Sequence, residues 1–119
     1  MHKIYFYKDS RGKEPVRDYI QTLAKRNDKD SRIKANKILD YMEYLQKEGF
    51  ESGEPYIKHL KNEIWELRPL KDRILFASWQ VDGFVFLHHF VKKTKKTPLR
   101  EITQAKKNLK KYKELSQSG

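Results

Sequence analysis

His88 and His89 close an apolar run, and Lys92, Lys93, Lys95 and Lys96 follow before Thr97 and Pro98 end the segment HHFVKKTKKTP. An imidazole with an ordinary pKa of about 6.5 gives or takes a proton near neutral pH. Lysines beside it stabilise the negative charge that builds on a phosphoryl group during transfer, with no cofactor needed. RNA brings its own nucleophile, because the 2′-hydroxyl attacks the adjacent phosphorus once a base removes its proton. A basic strand end with arginines and one histidine therefore suffices for metal-free RNA scission, and equally for RNA binding alone.

The arginines come from the preceding segment. In EIWELRPL, strand alternation places Glu66 and Arg68 with Ile64 and Leu70 on one face, while Trp65 and Leu67 point the other way. The plain reading is a solvent-facing pair of opposite charges. Arg73, however, lies just across a Lys71–Asp72 turn from Arg68, so the two guanidiniums can converge on one patch. Their planar forks of donors suit bidentate capture of a phosphate. Adjacent strand residues face opposite ways, so His88 and His89 cannot both serve one site: one packs against the core, and the residues leave open which. His2, His59, His88 and His89 show no paired ligand spacing, and the chain has no cysteine. Thiolate zinc sites, disulfides and cysteine nucleophiles are thereby excluded, and neither a metal nor a cofactor is expected.

These residues need elements to position them. KIYFYK is aromatic and β-branched and predicts a first strand. Pro15 suits the first position of a helix, and Val16, Tyr19, Ile20, Leu23 and Ala24 follow at helical spacing. Asp28 or Asp30 caps a second helix with Ala35, Ile38, Leu39, Met42 and Leu45 on one side, ended by Gly49. The pair predicts a helical hairpin over residues 14–48, and FESGEP a loop. IKHL, EIWELRPL, RILFASWQ and FVFLHHFV then read as strands, the last three forming an antiparallel meander with turns at Lys71–Asp72 and Val81–Gly83. Thr97 and Pro98 predict a cap and first turn for a final helix carrying Ile102, Ala105, Leu109 and Tyr112 on one face. The tail SQSG is expected to fray. The order β, α, α, a run of β, then α predicts an α+β fold with a mostly antiparallel sheet, and 119 residues without an internal linker predict a single domain over 1–119.

Charge completes the picture. The net charge is +11, and residues 92–119 hold ten Lys or Arg against Glu101 and Glu114, leaving only +3 for the rest. A field so concentrated attracts phosphate backbones, anionic membranes or an acidic protein. The bland alternative is a solvated basic helix. Lys95, Lys96, Lys106 and Lys110 are the positions expected to touch RNA. Most aromatic residues read as core, with Tyr112, among Lys110, Lys111 and Lys113, the most exposed stacking candidate. No apolar run spans a bilayer and the N-terminus lacks the apolar segment of a signal peptide, so a soluble, cytoplasmic protein is expected, with no membrane partner.

The stretches WELRPLKDRILFASW, FLHHFVKKTKKTP and REITQAKKNLKKY together resemble the RelE/ParE superfamily of type II toxin–antitoxin toxins, in its phage-derived HigB-like branch. The similarity covers residues 60–112, and the order of elements elsewhere fits the same RelE-like fold. The resemblance implies a small mRNA interferase, an endoribonuclease that cuts mRNA on the ribosome and is neutralised by a helix-turn-helix, HigA-like antitoxin. The matching positions are Glu66, Arg68, Arg73, His88, Phe90, Lys92, Lys93, Lys96, Thr97 and Pro98. It implies that Arg68, Arg73, Lys92 and Lys93 handle phosphate, with His88 as general acid or base, and that Phe90, Thr97 and Pro98 are structural. The chain departs from the pattern at Asp72, where Tyr is common, and at His89, where a small residue is common. The superfamily also contains inhibitors of DNA gyrase, so a ParE-like gyrase inhibitor and a non-catalytic nucleic-acid-binding module are the competing expectations. Under either toxin reading the partner is expected to bind through the first or the last helix.

Overall fold

A computed structural model describes residues 1–117. Strand β1 (Lys3–Phe6) is followed by helices α1 (Pro15–Lys25) and α2 (Lys29–Glu48) and a short 3-10 turn at Gly49–Ser52. Strands β2 (Ile57–Lys61), β3 (Ile64–Leu67), β4 (Asp72–Trp79) and β5 (Gly83–Val91) come next, and helix α3 (Leu99–Gln117) ends the order. The fold is α+β, as the element order predicts. Of the tail, residues 118 and 119 lie outside the described range, and Ser116 and Gln117 are the last two residues of α3.

Five strands form one mixed sheet in the order β1-β5-β4-β3-β2. The predicted three-strand meander gains β2 as a fourth antiparallel member, and β1 pairs in parallel with β5, Lys3 opposite Gly83 and Phe6 opposite Phe86. Gly83 permits this pairing: a Cβ there would stand 2.5 Å from the Lys3 carbonyl oxygen. The polypeptide between the parallel strands includes the helical hairpin, whose apolar stripe covers one side of the sheet.

Helices cover both faces. Val16, Ile20 and Leu23 of α1 with Ala35, Ile38 and Leu45 of α2 pack on Leu67, Ile74, Phe76, Phe84 and Phe86. On the opposite face Ala105 and Leu109 of α3 pack on Ile64, Leu75, Ala77, Val85 and Leu87. Burying each large apolar side chain contributes about 1.5–3 kcal/mol, which is why β4 and β5 read as nearly continuous apolar runs. Ala24 and Leu39 fall outside the buried stripe of their helices and are exposed, against the spacing-based expectation. The stripe is narrower than their positions require.

Caps set the helix limits. Pro15 opens α1, the Asp28 carboxylate accepts from the Ser31 amide at 3.0 Å to start α2, and Gly49, at φ 59°, ends it. Thr97 does not cap α3. The Pro98 carbonyl accepts the first helical bonds, from Glu101 and Ile102, and the Thr97 hydroxyl is used elsewhere.

One irregularity decides how the sheet's end is organised. Leu75 pairs with His88 and Phe76 with Phe86, leaving Leu87 as an extra residue, a β-bulge. Leu87 and His88 therefore both reach the α3 side, the first in its apolar cluster and the second in contact with Glu101 of α3. His89 then faces α1. The turn before β4 also differs from expectation: the Asp72 amide bonds to the Pro69 carbonyl at 3.0 Å, so Asp72 is the first strand residue and not a turn residue.

Candidate functional site

Glu66 lies on the α3 face of β3, and only 2 % of it is exposed. The expectation that this face is wet fails, because α3 and the loop before it cover it. A buried carboxylate persists only with partners. Its Oε1 stands 3.5 Å from Arg68 Nε and 3.8 Å from Arg73 Nε, and Oε2 accepts a hydrogen bond from the Thr97 hydroxyl. The carboxylate thus ties β3, β4 and the loop entering α3 together.

Arg73, 6 % exposed, donates from Nη1 to the Leu70 carbonyl at 2.7 Å and the Asp72 carbonyl at 2.8 Å. Burial pulls its pKa below the ordinary arginine value, and the Glu66 charge opposes that shift. Arg68 reaches outward to Glu54, Nη1 to Oε1 at 3.7 Å, and its buried Nε has no hydrogen-bond acceptor. The two guanidiniums converge across the turn, held by a shared carboxylate.

Phe90, Lys92, Thr94, Lys95 and Lys96 wall the same recess. Strand β5 ends at Val91 and the Lys92 amide makes one further bond, to the Lys71 carbonyl at 2.7 Å, so Lys93, Lys95 and Lys96 lie on a loop instead of alternating along a continued strand. The recess is narrow, about 10 Å³, room for a single water. It adjoins a hollow of about 390 Å³ between Leu70–Lys71 and Lys92–Lys95, into which Arg73 and Lys93 also face. Of the residues singled out from the sequence, Arg68, Arg73, Lys92, Lys95 and Lys96 come together in the recess, with Lys93 on the outer hollow. Lys106 and Lys110 lie apart, in a groove between α3 and the β2–β3 turn lined by Asn62, Glu63 and Lys113, where Lys113 pairs with Glu63 at 2.8 Å.

His88 shares the sheet face of the arginines but does not line the recess. Its Nε2 lies 2.8 Å from Glu101 Oε1, and its ring stacks near Phe90 at 6.2 Å between centroids. Phe90 is Arg73's cross-strand partner and His88 is Leu75's, so the imidazole and Arg73 are diagonal neighbours on this face. Tyr112, the expected exposed platform, instead packs edge-on against Trp79 at 4.7 Å, and burial raises its pKa.

A second cluster on the α1 side was not visible in the sequence. Asp72, 0 % exposed, accepts from the Tyr19 hydroxyl at 2.7 Å, sits 3.0 Å from His89 Nε2 and 3.6 Å from Lys34 Nζ. Tyr19 and His89 stack at 3.6 Å. A signal existed: an acid leading a strand that is buried on both faces must find donors. The cluster fixes the first residue of β4, whose carbonyl holds Arg73. Burial works to raise the Asp72 pKa, but hydrogen bonds from His89 and Tyr19 and the charge of Lys34 outweigh it, and the net shift is downward.

A folded-state pKa below the unfolded one contributes stability above the ordinary carboxylate range, lost as pH falls through the depressed value. Asp72→Asn is therefore expected to be less stable than the parent at neutral pH, with the gap closing below about pH 4. Urea unfolding at a series of pH values measures it, and a gap independent of pH would contradict the assignment.

A small, strongly basic α+β domain whose mixed sheet ends in two arginines around one buried carboxylate is the class that fold and recess define. A family model described as Phage derived protein Gp49-like (DUF891) matches residues 23–110, about three quarters of the chain, and the chain belongs to that family. The Gp49-like proteins are part of the RelE/ParE-like toxins, generally the toxin members of toxin–antitoxin systems. The matched span includes every residue of the recess. No curated protein matches the chain. No helix among the described residues is long and apolar enough to cross a membrane.

Proposed function

We propose that this chain is the toxin of a type II toxin–antitoxin system of the HigB-like branch, a ribosome-dependent, metal-free endoribonuclease that cuts mRNA in the cytoplasm. The convergence of Arg68, Arg73, Lys92, Lys95 and Lys96 at one end of the sheet supports this reading most. Scission forms a bond from the 2′-oxygen to phosphorus and breaks the bond to the 5′-oxygen; one proton leaves the 2′-hydroxyl and one reaches the departing oxygen. Guanidinium and ammonium groups fixed in place stabilise the charge accumulating on the non-bridging oxygens without reorganising during the step.

Glu66 holds the arginines and is too buried to reach a substrate. His88, steadied by Glu101 on the same face, is the imidazole assigned to proton exchange, whereas His89 is committed to Asp72. The outer hollow receives the backbone, with Lys93 at its rim, and Lys106 and Lys110 meet a more distant stretch of the same RNA. A helix-turn-helix antitoxin neutralises the toxin.

Primer extension on transcripts after brief induction tests this directly. Discrete new 5′ ends inside translated messages are expected. Whole messages accompanied by DNA damage would replace the reading with gyrase inhibition. Salt-dependent RNA binding without cut products would replace it with a binding module. His88→Gln is expected to slow cleavage by about 10²-fold, at the low end for general acid–base catalysis because the imidazole does not line the recess. His89→Gln should act on stability instead; equal cleavage rates for His88→Gln and the parent would remove that imidazole from the chemistry.

A further inference from the structure

Leu70, inside the turn that the Asp72 amide closes on the Pro69 carbonyl, combines two features unfavourable for a leucine. It occupies the left-handed region at φ 57°, where a leucine is strained, and its side chain is 50 % exposed. Ile33 of α2, 46 % exposed, and Val91 at the end of β5, 40 % exposed, line the same open groove of about 520 Å³; Lys34, Lys71, Asp30 and Asp72 line it too, the Asp72 carboxylate being taken up by Tyr19, His89 and Lys34. The groove also shares Leu70 and Lys71 with the cationic hollow that contains Arg73, Lys92, Lys93 and Lys95. At Leu70 and Lys71 the aliphatic surface thus adjoins concentrated positive charge, with Asp30 as the groove's other acidic lining residue beside the paired Asp72.

That sequence of surfaces fits a peptide segment with aliphatic side chains followed by carboxylates. Nucleobases favour aromatic platforms for stacking, and this groove has none. Aliphatic pockets of this kind accept the anchors of an amphipathic helix or strand.

We propose that the Ile33–Leu70–Val91 groove is the docking surface for an acidic, amphipathic segment of the neutralising protein, whose carboxylates then lie over Arg73 and the Lys92–Lys95 loop. The proposal rests on the toxin reading for the partner's role, though not for the surface itself. It places the partner at the start of α2 and the end of β5, not on α1 or α3.

The probe is a synthetic helix-forming peptide with leucines on one face and glutamates at one end, titrated by fluorescence anisotropy against the intact chain. Saturable binding is expected, weakened roughly tenfold or more by an Ile33→Gln, Val91→Thr double variant and by replacing the peptide's leucines with serine. Replacing its glutamates with glutamine should weaken binding and abolish its salt dependence. Leu70→Asn, which suits a left-handed residue and preserves the turn, should weaken the peptide to a similar degree. Absence of saturable binding, or equal binding by parent and double variant, overturns the proposal. So does a double variant that binds the peptide normally yet binds RNA less tightly, since the groove would then belong to the nucleic acid. If the parent cuts no message but binds the peptide through these residues, the docking surface stands and the nuclease reading falls.

Discussion

Arg73→Ala is expected to lower mRNA cleavage by about 10²–10³-fold, the usual effect of removing one fixed donor from a site where negative charge develops. The size follows from how this guanidinium is held. Two backbone carbonyls and the Glu66 carboxylate fix its orientation before any substrate arrives, so no reorganisation is needed as the charge forms. Arg73→Lys should recover little, because an ammonium cannot span both carbonyls and still present a planar fork outward. Growth on induction and cleavage of a translated message measure the loss, with circular dichroism confirming that the variant is folded. A folded Arg73→Ala protein that cuts at the parental rate would take the arginine out of the reaction.

Glu66→Ala should cost the most stability of any single substitution in the recess, about 3–5 kcal/mol, because it leaves two buried or half-buried guanidiniums without their common counter-charge. The Thr97 hydroxyl also loses its acceptor, which frees the entry to α3. Urea unfolding followed by Trp65 and Trp79 fluorescence reports the change. Combining Glu66→Ala with Arg73→Ala should cost less than the two separately, since the second removes the charge that the first exposes. A Glu66→Ala protein within about 0.5 kcal/mol of the parent, the range of ordinary surface changes, would show that the carboxylate does not organise the arginines.

Much of this architecture is readable from the residues, for reasons that also mark where reading stops. The helices are legible because one stripe of each is buried, and periodicity reports burial; it fails at Leu39 and Ala24, which carry apolar character without being covered. The convergence of Arg68 and Arg73 is legible because a tight turn brings nearby positions together. The burial of Glu66 is not, because alternation identifies which residues share a face and not what lies over it. Here a helix distant in sequence does. Likewise the Tyr19–Asp72–His89 cluster joins three segments through hydrogen bonds that leave no periodic trace. The two sites, on α3's face and on α1's face, meet at two consecutive pairs, Asp72–Arg73 and His88–His89, because neighbouring residues of a strand face opposite ways.

Leu87 gives the last strand two different side-chain phases. Counting by twos from Phe84 would send His88 toward the hairpin and His89 toward the basic loop, the reverse of what is seen. Excising that single leucine would straighten the ribbon yet leave His88, His89 and Phe90 pointing as they do now. It would remove one apolar plug beneath the terminal helix and the carbonyl that Asn108 grips at 2.8 Å. The extra residue thus lets the interior half of the ribbon and its histidine-bearing tip answer to separate demands.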